Sequence, residues 1–181
     1  MMHFMRSIYA GGTEKEGFEI RRMLRTENQE KIRIQQLYKE HYQKKIKNGN
    51  EIKAPFPPDS TKYYEEVLAQ KDFIEQISVL PVPYDSVACR LDSITVELKF
   101  SNYLHILYNR SKEDPDYVGY FSGYSKPKHP SSYMTLLQKE SSLYIFPDGS
   151  YYEVQNVINY GYWAWSERLS RMLPFDFKPS P

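Results

Sequence analysis

With 181 residues, 40% of them apolar and 26% charged, the chain carries enough apolar matter for a packed core and does not have a disordered composition. Its 24 basic side chains stand against 23 acidic ones, a net charge of +1, so the basic excess needed to coat a nucleic acid is missing. A single cysteine, Cys89, excludes a disulfide framework, and no apolar run reaches the roughly 18 residues that span a bilayer, so any membrane contact is expected to be peripheral.

The opening MMHFMRSIYAGG has Arg6, Ser7 and no acidic residue before Glu14, a faint likeness to a mitochondrial address that chance also produces. After Gly11 and Gly12, Thr13 and Glu16 have the spacing of a capping box. A helix is expected to run from there to Asn48, with Glu14, Glu16 and Glu19 at its positive end and Lys44, Lys45 and Lys47 at its negative end. Such a rod would measure roughly 50 Å. Residues 1–50 hold 11 Lys/Arg against 6 Glu, so the arm is basic and the remainder acidic. Solvation of the helix face accounts for that asymmetry, as does steering toward an acidic partner.

At helical spacing Ile20, Met23, Leu24, Ile34, Leu37, Tyr38, Tyr42 and Ile46 share a side, whereas Phe18 and Ile32 do not. Glu27, Glu30 and Lys31 interrupt the stripe. Either the helix breaks near Thr26, where TENQ offers a second capping box, or it stays whole and foreign protein supplies the missing cover.

APFPPDSTK, residues 54–62, reads as a stiff linker. Asp59 or Ser60 is then expected to cap a helix over about 61–77 that packs Tyr64, Val67, Leu68 and Ile74, with LPVPY at 80–84 closing it. In SITVELKF, residues 93–100, Ile94, Val96, Leu98 and Phe100 alternate with polar residues, the pattern of a half-buried strand. Ser101 and Asn102 are expected to turn it into a hairpin with YLHILYN, residues 103–109. DYVGYFSGY (116–124) and SYMTLLQK (132–139) read as weaker strands, and PDG at 147–149 as a tight turn between SLYIF and SYYEVQ. A helix near 163–173 and an extended tail over 174–181 complete the chain.

The expected fold class is α+β: a long N-terminal helical arm and a second helix, then four to six antiparallel strands with a C-terminal helix. The expected division is an arm over 1–53, a linker over 54–60, an α+β domain over 61–173 and the tail.

Chemistry is sparse. His3, His41, His105 and His129 form no two-histidine metal spacing. His105, between Leu104 and Ile106, reads as a hydrogen-bonded sheet histidine. His129, in KPKHPSS, is a candidate general base with Ser131 or Ser132 as nucleophile. Cys89 is expected to be buried and inert, because a nucleophilic thiolate needs an electropositive pocket. Asp114 and Asp116 beside Glu113 lack the glycine and distant glutamate of an EF-hand and read as a solvated turn. GYFSGY, residues 119–124, lacks the following lysine of a phosphate loop.

Aromatic side chains give the clearest pattern: 17 tyrosines, and Tyr160, Tyr162, Trp163 and Trp165 crowded together. Such rings serve cores and interfaces alike. Ile34, Tyr38, Tyr42, Ile46, Trp163 and Trp165 are the expected partner contacts.

The expected function is that of a non-catalytic accessory subunit of a large assembly, bound to other protein subunits and not to nucleic acid. A mitochondrial respiratory-chain or ATP-synthase complex is the favoured setting, with a cytoplasmic or ciliary location as the alternative. No catalytic, cofactor or metal residue is assigned. One alternative is a ligand- or peptide-binding module lined by Ile94, Val96, Leu98 and Leu107. Another is a small hydrolase using His105 or His129.

Overall fold

Residues 18–27 form a strand rather than part of a long helix. The protein is seen here as a computed structural model, which describes residues 1–48, 58–121, 126–138 and 141–167. The first helix, α1 (Met2–Tyr9), precedes the diglycine. Gly11 has φ +65° and its N–H bonds Ile8 O, while the Gly12 N–H bonds Ser7 O. That is a Schellman stop, so Gly11 and Gly12 end one helix instead of leading into another. Tyr84 Oη donates to the same Ile8 carbonyl, and Arg90 Nη2 donates to that of Tyr9.

Thr13 and Glu16 lie in a turn, not a capping box. Glu16 N–H bonds Gly12 O, Phe18 N–H bonds Thr13 O, and Gly17 at φ +85° reverses the chain into β1 (Phe18–Glu27). Phe18 and Ile20, two residues apart, are buried, which is why strand geometry prevails over the helical stripe.

One antiparallel sheet has the order β2-β1-β5-β6-β9, with β2 at Phe73–Pro81, β5 at Tyr103–Tyr108, β6 at Ser131–Leu136 and β9 at Val157–Gly161. A second joins β3 (Ala88–Arg90), β4 (Val96–Leu98), β7 (Leu143–Ile145) and β8 (Tyr151–Tyr152) in the order β3-β4-β7-β8. The α+β class therefore stands, with nine strands among the described residues instead of four to six. The turn PDG does join β7 to β8, with Gly149 at φ +85°. The expected hairpin of residues 93–109 does not form: β4 pairs β3 and β7, and β5 pairs β1 and β6. Asn102, at φ +63°, carries the chain from one sheet to the other.

Residues 115–121 are helix α4 (Pro115–Phe121), not a strand. Proline suits a first helical position, and Asp114 Oδ1 accepts the Asp116 N–H. The last described helix, α5 (Tyr162–Ser166), agrees with the expected C-terminal helix, whose part beyond 167 lies outside the described residues. Residues 54–57 of the expected linker and the tail over 174–181 also lie outside them, whereas residues 58–60, expected as linker, begin a helix.

The chain separates into two units, Met1–Leu24 with Ile77–Pro181, and Arg25–Gln76, the division falling within β1 and β2. The core of the first unit joins Phe4, Met5 and Ile8 of α1 with Leu104, Ile106 and Met134 of one sheet and Val96, Leu98, Leu143 and Ile145 of the other.

The second unit contains α2 (Gln29–Asn48) and α3 (Pro58–Leu68). Asn28 caps α2 by accepting the Lys31 N–H at 3.1 Å, two residues beyond the break expected at Thr26. Its amide also donates to Gln70 Oε1 and Lys71 O, and Lys31 Nζ lies 2.8 Å from Asp72. Ile34 and Val67 are buried, and the Tyr38 and Tyr64 rings meet at 6.3 Å. The helix expected over 61–77 stops at Leu68, and Ile74 is an exposed strand residue, 47% accessible.

Arg33 donates to both oxygens of Glu30, and Tyr63 Oη donates to Glu30 Oε1 at 2.9 Å. These bonds, the Arg33 pair foremost, lower the Glu30 pKa from the ordinary 4.5 to about 2, and the same contact raises that of Tyr63. A depressed carboxylate stabilises the fold above its unfolded pKa, and that contribution disappears as pH falls from about 4.5 toward 2. Circular dichroism at 222 nm should show this acid-linked loss of helix in the wild type and a flatter profile in Glu30→Gln.

Candidate functional site

On the outer face of the five-stranded sheet, residues alternate with the core positions. Leu104 and Ile106 of β5 point inward, so His105 takes the other face with Tyr103. Ser132, Met134 and Leu136 of β6 are buried, so Ser131, Tyr133 and Thr135 share the outer face. The β5–β6 register sets Tyr133 opposite His105, and Ser131 opposite Leu107. His105 Nε2 then reaches Ser131 Oγ at 2.8 Å.

A histidine within hydrogen-bond distance of a serine is the first requirement of nucleophilic catalysis. The surroundings are those of a packed face. Tyr133 and Tyr160 stack at 4.8 Å with an interplanar angle of 10°, and Tyr103 contacts both, at 6.0 and 6.1 Å. Tyr133 and Tyr160 therefore spend a ring face on each other. On β1, Arg21 pairs with Glu19, which neutralises the charged edge of this face.

The other expected residues are placed differently. His129 is held by Ser111 O at 2.9 Å and faces Lys112 Nζ at 3.1 Å. It does not meet the serines: Ser131 belongs to His105, and Ser132 Oγ accepts the Trp163 N–H at 3.0 Å. Cys89 is exposed on β3, where a short three-residue edge strand cannot cover it. Asp114 is occupied as the cap of α4, while buried Glu113 accepts the Lys128 N–H at 3.0 Å. Among the described residues no group of three His, Cys, Asp or Glu is placed to hold a metal ion.

Of the expected partner contacts, Ile34 is fully buried, and Trp163 and Trp165 are 8% and 6% exposed. The Trp163 ring packs on Phe4 at 5.2 Å, and Trp165 on Tyr117 and Tyr162 at 5.4 and 5.5 Å. Tyr38 faces Tyr64, while Tyr42 and Ile46 lie in α2 with side chains outside the described ones. Of the residues expected to line a pocket, Val96 and Leu98 are fully buried, while Ile94 is 58% exposed.

Sequence reading missed β2. It is an outer strand of its sheet, and all nine residues are exposed. In the first unit this strand presents Ile77 at 44%, Val79 at 83% and Leu80 at 75% exposure. Among the described residues no further strand pairs with its outer side, and no charged side chain stands between Ile77 and Leu80, although Glu75 precedes that stretch and Pro81 ends it. The signal was the β-branched trio Ile74, Ile77 and Val79 between Asp72 and Pro81. No helix among the described residues is long and apolar enough to cross a membrane. Comparison with protein-family models, with curated proteins and with solved structures finds no match to this chain.

Proposed function

We propose that the chain is a non-catalytic accessory subunit that binds another protein by accepting one of its extended segments along β2. The observation that supports this reading is the apolar outer edge at Ile77–Pro81, unpaired among the described residues. Main-chain groups on a free edge give affinity, and alternate side chains give specificity. Strongly exposed Val79 and Leu80 cost the isolated chain solubility without contributing to its core, and a bound strand would cover them. The partner contacts first expected at Trp163 and Trp165 move to this edge.

The test is co-purification from the native source, with mitochondrial membranes as the first fraction. V79K/L80E alters only exposed positions, so its circular dichroism should match the wild type, while the captured partner should fall at least tenfold. Equal capture by the variant, or a wild-type chain that travels alone, would overturn the reading. Covalent labelling by a serine-directed probe that Ser131→Ala abolishes would instead favour hydrolysis through His105 and Ser131.

A further inference from the structure

The first unit contains a cavity of about 220 Å³ beneath α1, walled by Phe4, Phe18, Ile106, Tyr108, Tyr162 and Trp163. We infer that it binds a small aromatic molecule, one ring or a fused pair, carrying a hydrogen-bond acceptor. This is independent of the β2 edge and survives or fails apart from it.

Size comes first. An engineered apolar cavity of roughly 150 Å³ takes up benzene. A half-open space of about 220 Å³ admits one ring with a short substituent, or a small bicycle.

Wall geometry comes second. Phe4 meets Phe18 edge-on at 5.3 Å, and the His3 ring meets Phe18 and Tyr108 edge-on at 5.0 and 5.6 Å. An aromatic guest extends this edge-to-face pattern, whereas a flexible aliphatic one does not. Phe4 and Ile106 are 0% and 1% exposed, so part of the wall belongs to the packed core.

The polar group comes third. Ser132 lines the cavity and is 2% exposed. Its oxygen accepts the Trp163 N–H at 3.0 Å, and among the described residues its own hydroxyl proton has no acceptor. A buried donor of this kind favours a guest that accepts a hydrogen bond. Also lining the cavity, His3 Nε2 lies 3.2 Å from Glu16 Oε2, and both side chains are about half exposed. That places a polar pair beside solvent and apolar walls within.

Acetophenone, which has the acceptor, and ethylbenzene, which lacks it, are the probes. Ligand-detected NMR should show saturable binding of both, with acetophenone favoured about 3–10-fold. Ser132→Ala should erase that preference. Ser166→Trp, a plug from the α5 side of the lining, should weaken both at least tenfold, and Ser111→Trp repeats the plug from another loop if the first variant does not fold. No saturable binding at millimolar probe, equal binding in a folded plug variant, or a preference that survives Ser132→Ala would each overturn the inference.

Discussion

Phe4→Ala should destabilise the protein by about 3–5 kcal/mol, as deletion of a buried phenylalanine ring does. Phe4 is 0% exposed, and its ring contacts Phe18 of β1 and Trp163 of α5 at 5.3 and 5.2 Å. The truncation removes the transfer free energy of the ring and leaves a hole that α1 cannot close. Gly11 and Gly12 fix the helix end, and Arg6 Nε is bonded to Asp148 O at 2.7 Å. The readout is the midpoint of denaturant unfolding at unchanged slope. Were residues 2–9 a loose leader, the substitution would shift stability by no more than about 0.5 kcal/mol.

That contrast shows what the sequence could and could not reveal about the N-terminus. A diglycine is punctuation that reads in either direction. Placed before Thr13 it announces a helix start; placed after Tyr9 it closes one. The decision belongs to Phe4, Met5 and Ile8, which are buried only because two sheets lie against them. Phe18, off the helical stripe, was the local sign that period 3.6 was wrong. It carried weight only once Ile20 was paired with Ile106.

Where local chemistry is decisive, the sequence sufficed. PDG needs no distant partner to turn, and the alternation of Val96, Leu98 and Phe100 reflects one buried face. Asp114-Pro115 also announces a helix, but Glu113, Asp114 and Asp116 read as a solvated turn and the residues after them as a strand, so the proline's message is lost. Strand pairing was beyond reach, because which strands lie beside β5 depends on packing between residues far apart in the chain, Arg21 against His105 on one side and Tyr133 against His105 on the other. For the same reason the 2.8 Å contact of His105 with Ser131 could not be read from their spacing. The tyrosine excess was legible as packing or interface, and only the sheet register assigns Tyr103, Tyr133 and Tyr160 to one shared cluster.

Gly161→Ala should cost about 2–4 kcal/mol, from backbone strain together with a main-chain clash. Gly161 ends β9 and caps α5 at φ +71° and ψ −139°, a region that side chains rarely enter. A Cβ there would stand 2.7 Å from Ser131 O and 3.3 Å from Ser132 Cα. Both are backbone atoms of a paired strand, so β6 must shift or the strand-to-helix corner must unwind. Either movement disturbs Ser131 at His105 and Ser132 at the Trp163 N–H, coupling this glycine to the outer sheet face and to the cavity wall. Gly12→Ala is the matched control: nothing lies within 4 Å of its added Cβ and its φ is not positive, so its effect should stay within about 1 kcal/mol. Equal stability of the two variants in parallel denaturant titrations would mean that β9 does not pass into α5 through this glycine.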